Sequence, residues 1–357
     1  MTKLTRRKFI QGCLVVAGIT MLGGLVYAYG LARTGMQTLD TKESIENNAS
    51  DRRQNSNSRT PRYLELERSG ELQRREQAIW AKMERCDLCP RLCHVNRLAG
   101  EKGICGVAEN FKIASFGPHH GEERPLVGTR GSGTIFFSNC NLLCVYCQNW
   151  QINHRGDGQQ INHEHLAQIM LSIQRLGCHN INLVTPTHLM PHIVRALRIA
   201  IAGGLNLPLV YNSSGYDSFE LLQLLDGIID IYLPDFKYMD AELAARFSKD
   251  APDVPHHTKV AIKEMHRQVG TLKLHRGIAY RGLLIRHLVL PENAAGTDEF
   301  VRWVVSELGA DTHVNIMGQY GPQHLANQFP MLSRRVTRAE MTQAMQWARE
   351  AGLHNFH

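Results

Sequence analysis

The chain has 357 residues, enough for one large domain with an appendage or for two domains. Hydrophobic residues make up 43% and charged residues 20%, which is ordinary for a globular protein with an apolar core. The formal net charge is +7, but much of the excess lies in the first quarter of the chain, and no later Lys/Arg block carries interleaved aromatic residues. Nucleic-acid binding is therefore not expected.

The first 32 residues are typical of an export signal rather than of a folded element. Thr5-Arg6-Arg7-Lys8-Phe9-Ile10 is a twin-arginine motif, and an apolar stretch over 13–32 follows it. An uncleaved membrane anchor is the alternative, because about 20 apolar residues can span a bilayer. Residues 1–32 therefore predict a periplasmic or inner-membrane-anchored protein, and a cytoplasmic one if the motif is a chance match.

A polar linker and a lead-in helix are predicted over residues 33–82. The stretch up to about residue 61 has almost no apolar residues, so it cannot bury enough surface to offset its ordering entropy. A helix is expected over 61–83, and the folded part of the chain is expected to begin near Cys86.

The next segment, 83–127, is predicted to be a four-cysteine metal module. Its thiols follow the spacing Cys86-x2-Cys89-x3-Cys93-x11-Cys105 in a short, loop-rich stretch with little core of its own. Soft thiolates select zinc or iron–sulfur clusters, so zinc and a second iron–sulfur cluster are both open. A pair of disulfides is the alternative in an exported protein.

Residues 128–357 alternate between strand and helix patterns. Short apolar and β-branched runs predict six strands, at 133–138, 180–184, 209–213, 228–233, 282–290 and 313–317. One intervening helix is expected to be capped by Asn162, and the last begins with a capping box at Thr337 and Glu340. The alternation predicts an α/β fold whose parallel βαβ units close part of a barrel. In such barrels the chemistry lies in the loops at the carboxyl ends of the strands.

Three further cysteines follow the first of these strands. The spacing Cys140-x3-Cys144-x2-Cys147 places three thiols close together with no fourth nearby. Structural zinc sites and ordinary electron-transfer clusters take four protein ligands, so three thiols leave one coordination position open. A three-cysteine zinc site closed by a distant residue is the alternative.

The triplet, with Tyr146 just before its last cysteine, resembles the motif of the radical S-adenosylmethionine (SAM) superfamily. Other stretches together resemble the pyruvate formate-lyase activating enzyme-like branch: CDLCPRLCHVNRLAGEKGICG, TPTHLMP, YNSSGY, DIYLPDFKY, RHLVLP and NIMGQYGP. The similarity runs from about Cys86 to Gly352. It implies a partial (β/α)6 TIM-like barrel of the radical SAM type, with the four-cysteine module on its N-terminal side.

The resemblance also implies a [4Fe-4S] cluster on Cys140, Cys144 and Cys147, with S-adenosyl-L-methionine bound to the fourth iron. In the family, one electron from the reduced cluster cleaves the sulfonium to a 5′-deoxyadenosyl radical, which abstracts hydrogen from a substrate. The implied partners are a low-potential electron donor and a protein substrate, a glycyl-radical enzyme activated at a backbone glycine. A radical enzyme acting on another peptide or small molecule is one alternative, and a non-enzymatic iron–sulfur electron carrier is another.

Further cofactor contacts are implied at the ends of the other strands. Many family members carry Gly-Gly-Glu after the second strand, whereas this sequence has Thr185-Pro186-Thr187-His188, whose threonines could supply oxygens. Asp235 and Lys237 resemble the family's Asp-x-Lys pair beside SAM. The expected cofactor-binding residues are Tyr146 (at the adenine), Thr185, Thr187, Asn212, Gly215, Asp235 and Lys237.

Overall fold

The computed structural model describes residues 59–357, which lie in one compact unit spanning Arg52–His357. The predicted export signal over 1–32 and the linker up to residue 58 lie outside the described residues, so both stay predictions. Over the described part of the chain, no helix is both long enough and apolar enough to cross a membrane.

Ten strands form one sheet: β1 (Phe111–His119), β2 (Ser132–Phe137), β3 (Gln159–Ile161), β4 (Ile181–Val184), β5 (Leu209–Asn212), β6 (Ile231–Tyr232), β7 (Lys273–His275), β8 (Ile278–Leu288), β9 (His313–Met317) and β10 (Asn355–Phe356). Their order is β10-β9-β8-β6-β5-β4-β2-β1-β3, with β7 paired to β8. The neighbours β2, β4, β5, β6, β8 and β9 all run parallel. These are the six strands expected from the sequence, so the partial (β/α)6 barrel is confirmed.

The sequence patterns do not predict the other four strands. β1 and β3 pair antiparallel beside β2, β7 pairs antiparallel with β8, and β10 extends the parallel edge at β9. β1 contains Gly117 and Pro118 and has a register shift between Ile113 and Ser115, so its strand pattern is interrupted. This strand matters because it leads into residues 120–128, which approach the inner face of the sheet.

The helices in the described residues are α1 (Tyr63–Arg68), α2 (Glu71–Ala81), α3 (Arg124–Val127), α4 (Trp150–Asn153), α5 (His163–Arg175), α6 (Met190–Ala202), α7 (Phe219–Leu225), α8 (Ala241–Phe247), α9 (Val254–Val269), α10 (Thr297–Leu308) and α11 (Arg338–Glu350). Both predicted caps are confirmed. The Asn162 side chain accepts a hydrogen bond from the His165 N–H at the start of α5. Thr337 and Glu340 form the reciprocal capping box of α11.

The packed part of the chain begins earlier than the sequence predicts. The lead-in segment forms two helices, α1 and α2, separated at Gly70, whose φ of 77° is left-handed. Tyr63 is fully buried, and its hydroxyl donates to the Leu207 carbonyl at 2.8 Å. Because α1 and α2 pack into the barrel core, the expectation that the folded part of the chain begins near Cys86 is wrong.

Side chains of the parallel strands alternate between a face covered by helices and an inner face. Along β8, Leu283 and Ile285 join the main core under the helices, whereas Leu284 joins a smaller inner cluster with Leu126 of α3. The next inner position on β8 is Arg286. The inner face therefore changes from apolar to polar toward the carboxyl ends of the strands.

Candidate active site at the carboxyl ends of the strands

A cavity of about 460 Å³ lies at the carboxyl ends of the six parallel strands, and each of them contributes to it. This volume is typical of cofactor sites, which span roughly 300–1,000 Å³. The loop after β2 supplies the cysteine triplet. The other strand ends supply Val184 and Thr185 (β4), Asn212, Ser213 and Ser214 (β5), Asp235 and Lys237 (β6), Arg286 and Leu288 (β8), and Met317, Gln319 and Tyr320 (β9).

The cysteine triplet forms one wall of this cavity, with Cys140, Cys144 and Cys147 all lining it. The loop turns through left-handed backbone at Asn139 (φ 74°) and Leu143 (φ 56°). Non-glycine residues adopt this conformation rarely, and it concentrates at functional loops. The backbone of the loop is thus shaped to bring three separated thiols to a single surface.

Each of the three sulfurs accepts a hydrogen bond. The donors are the Leu142 N–H to Cys140 at 3.4 Å, the Ser248 hydroxyl to Cys144 at 3.4 Å and the Asn153 side-chain amide to Cys147 at 3.3 Å. Donors aimed at sulfur stabilise thiolate ligands and tune the potential of an iron–sulfur cluster. The surroundings of the triplet therefore suit metal-bound thiolates.

Burial works against free thiolates at this wall. It raises the pKa of Cys140 to about 12, and the neighbouring Cys144 thiol adds to the effect. The pKa of Cys147 is raised as well, first by burial and then by Cys144. Thiolates in such a place need a cation to offset their lost hydration. Two buried cysteines and the half-buried Cys147 beside a cavity are a donor set that fits an iron–sulfur cluster with one open iron.

A charged network crosses the cavity floor at the ends of β5, β6 and β8. Lys237 Nζ donates to Asp235 Oδ2 at 2.9 Å, and Arg286 Nε donates to Asp235 Oδ1 at 2.8 Å. The same guanidinium donates through Nη2 to Asn212 Oδ1 at 2.7 Å. Asp235 thus holds two cations, and the four side chains form one connected polar surface.

Electrostatics keep this network ionised despite its burial. Burial alone would raise the pKa of Asp235, but Arg286 and then Lys237 more than offset it, so that pKa lies below its ordinary value. Burial alone would lower the pKa of Lys237, but Asp235, followed by Cys144 and Tyr146, raises it above its ordinary value. A carboxylate and an ammonium are therefore both present to receive a zwitterionic group.

Sequence reasoning did not assign Arg286, although the stretch RHLVLP contains it. Arg286 is the single charged residue at an inner position near the end of β8, two residues beyond the buried Leu284. That spacing along a strand places both side chains on one face. A positively charged residue at the strand position that continues an apolar inner face indicates a side chain of the strand-end cavity. This pattern in the sequence could have identified Arg286.

Tyr146 and Thr185, both expected to contact the cofactor, line the cavity. The Tyr146 ring is buried and packs edge-on against Tyr320, with ring centroids 5.7 Å apart. Thr185 has a φ of 59°, which is strained for a β-branched residue, and its N–H donates to the Asn212 carbonyl. The cavity also includes Asn212, Asp235 and Lys237, and the cofactor contacts of all five residues stay predictions.

Thr187 and Gly215 do not line the cavity, in contrast to the expectation. The Thr187 hydroxyl is buried beneath the strand ends and donates to Asp217 Oδ1 at 2.6 Å, and Ser213 donates to the other oxygen of that carboxylate. Gly215 has a φ of 79°, and a Cβ there would come within 2.2 Å of the Asp235 carbonyl oxygen. Both residues support cavity-lining neighbours instead of facing the cavity.

The segment with the four other cysteines packs directly against the triplet loop. Arg91 donates to the Asn141 carbonyl at 3.0 Å and to the Ser248 carbonyl at 2.9 Å. The Asn139 amide donates to the Cys105 carbonyl at 2.9 Å, and the Asn141 side chain lies beside Cys89. The two cysteine groups are therefore neighbours, joined through residues 139–142.

Cys86, Cys89, Cys93 and Cys105 are free thiols, so the disulfide alternative does not hold in this structure. Burial is the main cause that raises the pKa of Cys105, and Cys86 and Cys93 lie close enough to add to it. Across residues 59–357, however, no three His, Cys, Asp or Glu side chains converge on a position for one metal ion. The thiols are neighbours, and their metal stays a prediction.

The segments after β9 add polar groups to the cavity. Gln319 and Tyr320, from the stretch NIMGQYGP, line it together with Arg335. Lys237 and Arg286 are paired with Asp235, whereas Arg335 makes no ion pair with any carboxylate of residues 59–357. Its guanidinium is available to an anionic group of a bound molecule.

The sequence model of the radical SAM superfamily matches residues 134–304. The uncharacterized protein MJ0674 of Methanocaldococcus jannaschii is 33% identical over 277 residues, covering 75% of each chain. The uncharacterized protein MJ0808 of the same organism is 30% identical over 96 residues, 22% of this chain and 28% of that protein. Streptococcus suis SuiB bound to S-adenosylmethionine aligns at 11% identity with a TM-score of 0.43, over 61% of this chain and 48% of SuiB.

Proposed function

Because the chain belongs to the radical S-adenosylmethionine superfamily, we propose that it is an iron–sulfur enzyme that reductively cleaves SAM in order to abstract hydrogen from a substrate. One observation carries the proposal. Three thiols and the network of Asp235, Lys237 and Arg286 face the same cavity of about 460 Å³. An electron carrier needs neither an open coordination position nor a charged pocket beside it.

Different residues of the cavity would hold the cluster and SAM. Cys140, Cys144 and Cys147 would hold a [4Fe-4S] cluster, which when bound supplies the electron that cleaves SAM to methionine and a 5′-deoxyadenosyl radical. Lys237 would pair with the methionine carboxylate, and Asp235 would accept a hydrogen bond from an ammonium or hydroxyl group. Tyr146 would pack against the adenine.

The class of substrate is proposed from the motifs outside the cysteine triplet. The motifs that resemble the pyruvate formate-lyase activating enzyme-like branch support hydrogen abstraction from a backbone glycine of a partner protein, with reduction by a low-potential donor. Another peptide or a small molecule would use the same cavity, and Arg335 would then favour a substrate with a carboxylate or phosphate.

The proposed location of the protein has to account for two opposing features. SAM and low-potential electron donors are cytoplasmic, whereas a twin-arginine motif is typical of exported proteins. We propose anchoring by residues 1–32, with cytoplasmic location as the alternative.

The first test uses the full-length chain, reconstituted anaerobically with iron and sulfide and then reduced. We expect the electron paramagnetic resonance signal of a reduced [4Fe-4S] cluster that changes when SAM is added, because SAM binds at the open iron. We also expect equal amounts of 5′-deoxyadenosine and methionine as products, measured by chromatography. A cluster whose signal is indifferent to SAM, with no deoxyadenosine released, would leave only the electron carrier.

The four-cysteine segment is proposed to bind a second metal, either zinc or an iron–sulfur cluster. Four neighbouring thiols in a segment with little core of its own support this, since thiolates select these two metals. Cys93 and Cys105 are partly exposed, so replacing them disturbs the core least.

For the double variant Cys93→Ser/Cys105→Ser, we expect the loss of one zinc or of about four irons per chain, measured by elemental analysis. The SAM-responsive signal of the triplet cluster should persist. Cys178→Ser is the matched control, because Cys178 is a free thiol outside both groups. Equal metal content in the double variant and the wild type would remove the second metal from the proposal.

A further inference from the structure

Two consecutive glutamates, Glu122 and Glu123, lie buried beneath the cavity. They follow β1 and precede α3, in the segment whose Leu126 joins the inner apolar cluster of the sheet. The Glu122 side chain is 9% exposed and Glu123 is 6% exposed. Buried carboxyls of this kind require an explanation, because glutamate is seldom buried unless it is paired.

The glutamates meet the underside of the charged network described above. Glu122 Oε2 lies 3.7 Å from Arg286 Nη1. Glu123 Oε1 accepts a hydrogen bond from Asn315 Nδ2 of β9 at 3.1 Å. The Arg286 guanidinium therefore has two sides: Nε and Nη2 bind Asp235 and Asn212 at the cavity, and Nη1 faces the glutamate pair.

The two carboxyls are neighbours, and one of their oxygens lacks a hydrogen-bond partner within residues 59–357. Glu123 lies close enough to raise the pKa of Glu122, because two adjacent carboxylates repel each other. Glu123 Oε2 is buried and has no donor among the described residues. One proton between the two carboxyls would supply that donor and remove one of two adjacent negative charges.

The charges around Glu122 and Glu123 also favour one proton between the two carboxyls. The groups that face Glu122 are Arg286 from β8, Asp235 after β6 and Glu123 beside it, and β9 contributes the neutral Asn315. Burial is the first cause that raises the pKa of Glu122, to about 7; Arg286 opposes the rise, and Glu123 and Asp235 add to it. Full ionisation would place three carboxylates around one guanidinium.

We propose that Glu122 and Glu123 share one proton, and that this pair is a positioning element that holds Arg286 and, through it, Asp235 and Asn212 at the cavity floor. With the proton in place, Arg286 is balanced mainly by Asp235 and keeps its two hydrogen bonds to the cavity side. Loss of the proton adds a second buried charge that competes with Asp235 for the guanidinium. The consequence for SAM binding rests on the proposed function.

The first experiment measures thermal unfolding of the full-length chain across pH, without SAM. Folding raises the pKa of Glu122 from its ordinary value of 4.5 to about 7. Its contribution to stability is therefore full at pH values below 4.5 and is lost as the pH rises through about 7. We expect the wild-type melting temperature to fall by several degrees over this window. Glu122→Gln keeps a donor toward Glu123 without a titratable proton, so its melting temperature should fall less over this window. Buried Asp230, whose pKa burial raises to about 7, contributes equally to both proteins. Exposed Glu164→Gln is the control and should behave as the wild type.

Two further measurements make the result specific. The infrared difference spectrum between wild type and Glu122→Gln at about pH 6 should show a protonated-carboxyl band that shifts in D₂O, and the band of buried Asp230 should cancel in it. Arg286→Met should move the pH window of the stability loss upward, because Arg286 is the cation that opposes protonation of the pair. Equal pH slopes in wild type and Glu122→Gln, or no such band, would overturn the shared proton. An unmoved window in Arg286→Met would overturn the action through Arg286.

A final experiment measures how the affinity for SAM depends on pH. The SAM affinity of the reconstituted wild type should fall several-fold between about pH 6 and about pH 8.5, and that of Glu122→Gln should stay level. An affinity independent of pH in both proteins would overturn the positioning of the cavity floor. If no SAM binds at either pH, the proposed function has failed, and the unfolding and infrared results still decide whether the pair shares a proton and acts on Arg286.

Discussion

Replacing Cys144 with alanine is expected to abolish both the SAM-responsive cluster signal and the release of 5′-deoxyadenosine. Cys144 lies between the other two triplet cysteines on the cavity wall, and its sulfur accepts a hydrogen bond from Ser248. With two thiolates left, the cluster has no third anchor. We expect deoxyadenosine release to fall by more than about a hundredfold, because even the outer hydrogen-bond partners of metal ligands are worth roughly 10–100-fold. Iron content, electron paramagnetic resonance and product chromatography measure the change.

The matched control for this variant is Cys178→Ala. Cys178 is as buried as Cys140 and Cys144 but lies beyond the end of α5, outside both cysteine groups. The control should keep its iron, its signal and its activity. Circular dichroism on both variants separates loss of the cluster from loss of the fold. Full activity in a folded Cys144→Ala protein would refute the assignment of the triplet as the cluster-binding site.

Replacing Asp235 with asparagine is expected to lower the free energy of unfolding by about 3–5 kcal/mol, the typical cost of removing one partner of a buried ion pair. Asp235 is the shared acceptor of Lys237 and Arg286, and the side chains of all three are less than one fifth exposed. The variant leaves two cations facing each other in the cavity floor. Urea unfolding in the absence of SAM measures the loss, with Asp311→Asn as a control because that side chain is 77% exposed.

The same variant has a defined pH dependence. Because folding lowers the pKa of Asp235, its stabilisation is present above its ordinary value of 3.8 and is lost as the pH falls below that value. The difference between wild type and Asp235→Asn should therefore be full near neutral pH and shrink in acid. A variant as stable as the wild type at neutral pH would show that Asp235 does not hold the two cations together.

The sign of this dependence is opposite to that of the glutamate pair. Asp235 stabilises the fold when it is ionised, whereas Glu122 stabilises it when it carries a proton. The two carboxyls lie on opposite sides of the Arg286 guanidinium. Titrations of Asp235→Asn and Glu122→Gln therefore report on the two sides of one arginine separately.

Much of the fold and one wall of the site could be predicted from the chain alone. The six parallel strands follow from local runs of apolar and β-branched residues, and the caps at Asn162 and Thr337 follow from side chains that bond their own helix. The spacing of Cys140, Cys144 and Cys147 is a local property too. Since parallel strands present their carboxyl ends at one edge, the cysteine loop after the first of them could also be placed.

Which side chains from distant segments meet depends on how the chain packs in three dimensions. Glu123 and Asn315 are 192 residues apart in sequence, and their hydrogen bond exists because β1 leads residues 120–128 to the inner face of β8 and β9. Thr187 and Gly215 were expected at the cofactor, but a buried bond to Asp217 and a close backbone contact with Asp235 hold them beneath the cavity. Periodicity assigns a residue to a strand and a face, whereas its contacts depend on sheet register and loop conformation. These arise from long-range packing, which no local pattern in the sequence records.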